Sequence, residues 1–241
     1  MTHTDTRATE VAEAAAEVRQ IRFNRPAGTT SIYLVRHGET VPARADTPFD
    51  LVGGHGDPPL GERGQQQAVR VGERLARADG VHRISAVYVT TLKRTHQTAA
   101  PLATLLGLDP VVEEDLREVY LGEWEGGLYR IRITEGDPVA KRMFEEQRWD
   151  VIPGAEPDDR FWSRIRGSLN RIAQRHPDET VAVFTHGGVI ARILAEATSS
   201  RPFAFLGVDN GSISHVVASA DWLAIRSYND TAHLEDSTLP G

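Results

Sequence analysis

An apolar run over residues 31–35 ends in Arg36 and His37, so a permanent cation and an imidazole leave one strand-like segment side by side. At the carboxyl end of a buried strand, where α/β chains bind their ligands, that pair suits an anion with a nucleophile beneath it. Residues of matching chemistry sit at equivalent places further on. Arg94 opens the helical stretch after the second strand-like run, and His186 directly follows the fourth. A carboxylate, Glu118, lies in a glycine-bounded loop, Leu116-Arg117-Glu118-Val119-Tyr120-Leu121-Gly122-Glu123-Trp124-Glu125-Gly126, expected to hang over the same edge. Two arginines, two histidines and one acid would then surround a cavity of anion size.

The elements needed to bring them together alternate along the chain. Residues 62–79 carry Ala68, Val71, Leu75 and Ala78 as a helical stripe, and residues 84–89 read as a buried strand. Residues 92–106 are helical in composition, with Pro101 expected to kink or split them, and Val111 and Val112 open a short strand. A helix capped by Asp158 carries Phe161, Ile165, Leu169 and Ile172 and stops before Pro177. Strand 181–184 runs into Thr185-His186-Gly187-Gly188 and a helix over 189–197. Two further strands, 212–218 and 223–228, flank a tight turn at Asp221-Trp222. The expected fold is α/β: a three-layer sandwich with a mostly parallel central sheet, helices on both faces and a small helical insertion over the site.

The domain plan follows: an N-terminal arm over 1–30 with a helix from Glu10 to Arg19, a single domain over 31–234, and a C-terminal tail over 235–241. The insertion, about 129–160, carries Val139, Met143, Phe144 and Trp149 at near-helical spacing. It reads either as a lid or as a cap packing its aromatics inward.

Composition narrows the chemistry. With 241 residues, 40% hydrophobic, the chain can bury a sizeable core. A formal charge of -7 argues against nucleic acid or an anionic membrane surface as partner. The absence of cysteine excludes disulfides, thiolate-held zinc and a cysteine nucleophile. No apolar run is long enough to span a bilayer and the first thirty residues lack a signal-peptide core, so a cytoplasmic location is expected.

Taken in order, the motifs resemble the histidine phosphatase superfamily, also called phosphoglycerate mutase-like. The resemblance rests on Leu34-Val35-Arg36-His37-Gly38-Glu39-Thr40, Gly56-Asp57-Pro58-Pro59-Leu60, Thr91-Leu92-Lys93-Arg94-Thr95-His96-Gln97-Thr98-Ala99, Leu116-Arg117-Glu118, Pro153-Gly154-Ala155-Glu156, Thr185-His186-Gly187-Gly188 and Asn229-Asp230-Thr231-Ala232-His233-Leu234. It implies a phosphatase acting on a small phosphorylated substrate through a phosphohistidine on His37. Arg36, Arg94 and His186 would hold the transferring oxygens, Gly54 would approach the phosphate through its backbone, and Glu118 would serve as general acid and then base. No cofactor is expected, and no metal, because His37, His55, Asp57 and His186 lack metal-ligand spacing. A homodimer is the family-level expectation.

The chain also departs from the family pattern. Val41-Pro42-Ala43 stands where many members carry an asparagine of the phosphate site, with Arg44 as a replacement cation or a plain surface residue. Val119 follows the acid where the mutase branch typically carries arginine, which ranks hydrolysis ahead of mutase-type transfer. A non-catalytic module that binds phospho-ligands is the reading from another class. Glu156 is read as a brace for the pocket arginines or a polar residue near a helix start. Trp124, Trp149 and Trp162 are read as a hydrophobic mouth or as core.

Overall fold

The computed structural model describes residue 20 and residues 23–235. The helix expected over Glu10 to Arg19 lies outside the described residues. In chain order the elements are β1 (Thr30–Arg36), β2 (Leu51–Val52), β3 (His55–Gly56), α1 (Glu62–Ala76), β4 (Ile84–Val89), α2 (Lys93–Leu106), β5 (Val111–Val112), α3 (Leu128–Glu135), α4 (Pro138–Glu146), α5 (Asp158–Arg175), β6 (Thr180–Thr185), α6 (Gly187–Thr198), β7 (Ile213–Ala218) and β8 (Leu223–Asp230).

Six strands form one sheet in the order β5-β4-β6-β1-β7-β8. The first four run parallel, as βα repeats require, and β7 and β8 complete the sheet antiparallel. Side chains alternate across it. Ile32 and Leu34 of β1, with Val181 and Val183 of β6, face Phe161, Ile165, Leu169 and Ile172 of α5 and Val189, Ile190, Ile193 and Leu194 of α6. Val35, Ala182 and Phe184 face the other way, onto Val71 and Leu75 of α1 and Ala99 and Leu102 of α2. Fully burying one such Phe or Ile contributes about 1.5–3 kcal/mol, so the two apolar layers fix the sheet from both sides.

Register matters most for function. Arg36 of β1 is level with Thr185 of β6. The next residue of each strand is a histidine, so His37 and His186 emerge together at one sheet edge, tied by the His37 N–H donating to the Thr185 carbonyl at 3.0 Å.

Two local expectations need correction. Pro101 does not split its helix: α2 runs unbroken through it, with Thr98, Ala99 and Leu102 on both sides of the proline fully buried. Asp158 does not cap α5. Pro157 holds the cap position, and Asp158 in the first turn instead accepts from Arg192 Nε of α6 at 3.0 Å. Among the described residues no helix is long and apolar enough to cross a membrane.

Candidate active site

His37 is buried, and its Nδ1 lies 2.8 Å from the Gly38 carbonyl oxygen. A carbonyl can only accept, so Nδ1 carries the ring proton and Nε2 keeps its lone pair. Burial pushes the imidazole well below the ordinary histidine range, and the cations Arg94 and Arg36 push it further. The ring is therefore neutral and nucleophilic at Nε2.

His186 stands beside it with ring centroids 5.3 Å apart and no exposed surface. Its Nε2 faces the Thr90 hydroxyl at 3.1 Å, while Nδ1 has no partner among the described residues. Arg36 Nε is likewise buried without one, although another nitrogen of the same guanidinium donates to the Val208 carbonyl. Arg36 Nε can only donate, and an unpaired buried donor is costly, so a phosphoryl oxygen bound in the cavity would satisfy it. Arg94 opens α2 and is buried, its Nη1 donating to the Gly56 carbonyl at 2.8 Å with Asp57 4.0 Å away. Burial holds its pKa down to about 10 against the opposing pull of Glu118 and Asp57, so it stays a cation at neutral pH.

Glu118 reaches the same cavity from the loop after β5. Its Oε1 accepts from the Val119 N–H at 3.0 Å and its Oε2 from the Gly188 N–H of α6 at 3.1 Å. The cavity holds about 410 Å³, and Arg36, His37, Arg94 and Glu118 all line it. The structure thus brings four of the expected residues to one surface, with His186 packed directly behind. Gly54 is placed differently: it sits at the β2–β3 turn with φ +86° and is not among the cavity-lining residues, whereas Gly56, two residues on, and Gly127 line the cavity.

The remaining wall comes from residues that local pattern did not single out. Arg130 of α3 donates to the Thr40 hydroxyl at 2.7 Å and the Val41 carbonyl at 3.2 Å, which aims a third cation at the cavity. Tyr129 beside it stacks between Trp124 and Trp149, centroids 6.3 and 6.0 Å away, and burial pushes its hydroxyl up to about 12. Asn210 donates to the His37 carbonyl at 2.9 Å and also lines the cavity. Arg44 is exposed and takes no part. Trp124 and Trp149 do face the cavity, whereas Trp162 packs under Arg192, 4.7 Å from its ring centroid. Glu156 braces Arg164, at 2.8 Å, not the pocket arginines. No cluster of potential metal ligands occurs among the described residues.

A six-stranded sheet flanked by helices, with two histidines and two arginines converging at its carboxyl edge, defines a phosphoryl-transfer fold. Residues 32–231 match the histidine phosphatase superfamily (branch 1), and the chain belongs to that family. It is 35% identical over 210 residues to phosphoglycerate mutase-like protein 4 of Arabidopsis thaliana, covering 86% of this chain and 87% of that one. It is also 35% identical over 208 residues to the metal-independent phosphoserine phosphatase of Arabidopsis thaliana, covering 85% and 83%. Among solved structures, the mycobacterial glucosyl-3-phosphoglycerate phosphatase superposes with a TM-score of 0.69 at 23% identity, covering 84% of this chain and all (100%) of that one. The phosphoglycerate mutase of Bacillus anthracis gives 0.70 at 22%, covering 86% and 96%. These two likenesses establish the shared fold.

Proposed function

We propose that this protein hydrolyses phosphate monoesters of small molecules, with His37 Nε2 as nucleophile and Glu118 as acid and base. In the first step the Nε2 lone pair forms a bond to phosphorus as the ester P–O bond breaks. The departing oxygen takes that bond's electron pair and a proton from the Glu118 carboxyl. In the second step the Glu118 carboxylate takes a proton from water, the water oxygen attacks phosphorus, and the P–N pair returns to His37. Arg36, Arg94 and His186 hold the three non-bridging oxygens throughout. Because little covalent chemistry is left to the protein, these fixed charges carry most of the rate enhancement.

The observation that carries this reading is the His37 ring: neutral, with Nδ1 tied to Gly38, and with Arg94 and Arg36 lining the same cavity and acting on its charge. Val119 supports hydrolysis over mutase-type transfer, since it lines the cavity beside the acid and offers no charge to a second substrate group. Arg130 supports substrates that bear a further acceptor beyond the phosphate, held against the Tyr129 and Trp149 wall.

Rapid mixing with radiolabelled substrate tests the reading. The label should appear on the protein, survive alkali, be lost in acid, and be absent from His37→Ala. With 3-phosphoglycerate, free phosphate should form and 2-phosphoglycerate should not. Binding without turnover or labelling would instead make the protein a phospho-ligand module.

A further inference from the structure

We infer that Arg164 is a positioning residue for the Glu118 step, holding the backbone of residues 115–118 in the conformation that aims the acid into the cavity. The inference rests on the acid–base role proposed for Glu118.

After β5 the chain turns through a short helical turn and then runs extended, so its carbonyls have no strand partner. Buried carbonyls must still find donors. Arg164 of α5 supplies them: Nη1 donates to the carbonyls of Asp115 and Arg117 at 2.6 and 2.7 Å, and Nη2 to that of Glu118 at 2.8 Å. Leu116, the residue skipped, is held by the Thr185 hydroxyl at 2.7 Å, at the end of the strand that delivers His186. The other edge of the guanidinium meets both Glu156 oxygens, at 2.9 Å from Nε and 2.8 Å from Nη2. Its Cζ lies 4.8 Å from the Phe161 ring centroid.

All five N–H donors of an arginine are thereby used, in a planar fork that a lysine, with three donors on one atom, cannot reproduce. Glu156 neutralises the charge and is itself tied to the same loop, its backbone N–H donating to the Tyr120 carbonyl at 2.8 Å. Arg164 touches the Glu118 main chain only; the carboxylate contacts Val119 and Gly188. The guanidinium therefore sets where the acid points and does not pair with it.

A mere buttress would lower stability or depress turnover of every substrate alike. A positioning residue fails selectively where protonation of the leaving group limits the rate. Arg164→Met, Arg164→Lys and Glu118→Gln should be assayed with p-nitrophenyl phosphate and with an alkyl phosphate that the unaltered protein hydrolyses, at a temperature where circular dichroism shows each variant folded. Misplacing a catalytic group by about 1 Å costs about 100-fold, so Arg164→Met should lose about that much on the alkyl ester. On the activated ester it should lose less than about 5-fold, because general-acid help matters little to a good leaving group. Arg164→Lys should show the same selectivity at smaller size, and it carries the test alone if the methionine variant does not fold.

Equal losses on both esters, or none, in variants that remain folded would overturn the inference while leaving Glu118 as the acid, provided Glu118→Gln is itself selective. If Glu118→Gln shows no selectivity, the acid role falls and this inference with it.

Discussion

The carboxylate of Glu118 rests on the first turn of α6, where its Oε2 accepts the Gly188 N–H at 3.1 Å. The approach is so close that a Cβ on Gly188 would stand 2.4 Å from Oε1. The loop that carries the acid and the helix that follows His186 thus meet at a contact where an added side chain would have to push the Glu118 carboxylate aside.

Gly188→Ala should therefore displace the acid without unfolding the protein. Alanine favours a helix by about 1 kcal/mol over glycine, so the melting temperature should not fall much, while turnover of alkyl phosphates should drop about 100-fold. Calorimetry and kcat on the same preparation check both halves. A large loss of stability with activity per folded molecule intact would show that Glu118 can move aside harmlessly.

The pH profile should lack an ordinary histidine step on its acid side. Burial, then Arg94 and Arg36, keep His37 neutral well below 6.5, so the nucleophile survives into acid. The expected profile has kcat steady as pH falls through about 6.5. A one-proton fall centred near about 6.5 would contradict the assignment of His37 as a neutral, buried nucleophile.

Stability should respond to acid through a histidine remote from the cavity. Burial, with a smaller push from Arg226, holds His215 to about 4, against 6.5 in the unfolded chain, and its Nε2 is bonded to the Ser31 hydroxyl at 2.7 Å. Below 6.5 the unfolded chain binds a proton that the folded chain refuses. The contribution is therefore complete above 6.5 and is lost as pH falls from there through about 4. His37, His186 and His233 are depressed in the same direction and add to the trend. Melting temperatures measured across that window should fall for the parent protein and fall less steeply for His215→Gln.

The strand ends were the legible part of the site. An apolar run stopping at Arg36-His37, another stopping at Thr185-His186, and a helix opening on Arg94 report their chemistry locally, and parallel register does the rest. The α5 stripe, and the α1 stripe through Ala68, Val71 and Leu75, read correctly for the same reason, since burial on one face imposes its period on the residues; Ala78 falls beyond the end of α1. What sequence hid depends on distant contacts. Among the described residues α3 buries none of its own, so nothing in its pattern announces that Arg130 turns inward to Thr40, ninety positions earlier. The β2–β3 hairpin is two residues a side, too short for any periodicity. Asn210 sits in a loop before β7, and only the fold brings it under the His37 carbonyl. Pro101 and Asp158 misled because tertiary packing outweighed a local preference at each.

The two inward arginines on helices should separate kinetically. Arg94 lies with His37 and Glu118 at the reacting centre, whereas Arg130 reaches the cavity from the Thr40 side on the insertion. Losing a phosphate-clamping arginine costs about 10³-fold or more in kcat, which is expected for Arg94→Ala. Arg130→Met removes binding felt equally by bound substrate and transition state, so KM should rise about 10-fold with kcat little changed. Steady-state kinetics with one anionic substrate and p-nitrophenyl phosphate distinguishes them, the effect at Arg130 shrinking with the simpler ester.

A last expectation concerns the floor beneath His37. The chain leaving β1 crosses the start of α1 so closely that a Cβ on Gly64 would lie 2.0 Å from the Glu39 carbonyl oxygen, and one on Gly38 would lie 2.5 Å from the Gly64 carbonyl oxygen. The crossing is pinned by the Glu39 N–H donating to Gln67 Oε1 at 2.8 Å and by the Gly38 N–H donating to the Thr98 hydroxyl at 3.0 Å. Gly38 also supplies the carbonyl that holds His37 Nδ1, so any shift of this segment turns the nucleophile. Gly64→Ala should cost about 1–3 kcal/mol through overpacking against backbone that cannot yield. Unlike Gly188→Ala, it should slow formation of the phosphoenzyme with good and poor leaving groups alike, because it disturbs the attacking atom and leaves the acid in place. Stopped-flow release of p-nitrophenol under single-turnover conditions reads that step directly, and an unchanged burst rate in a destabilised variant would show that the ring is held by Gly38 independently of the crossing.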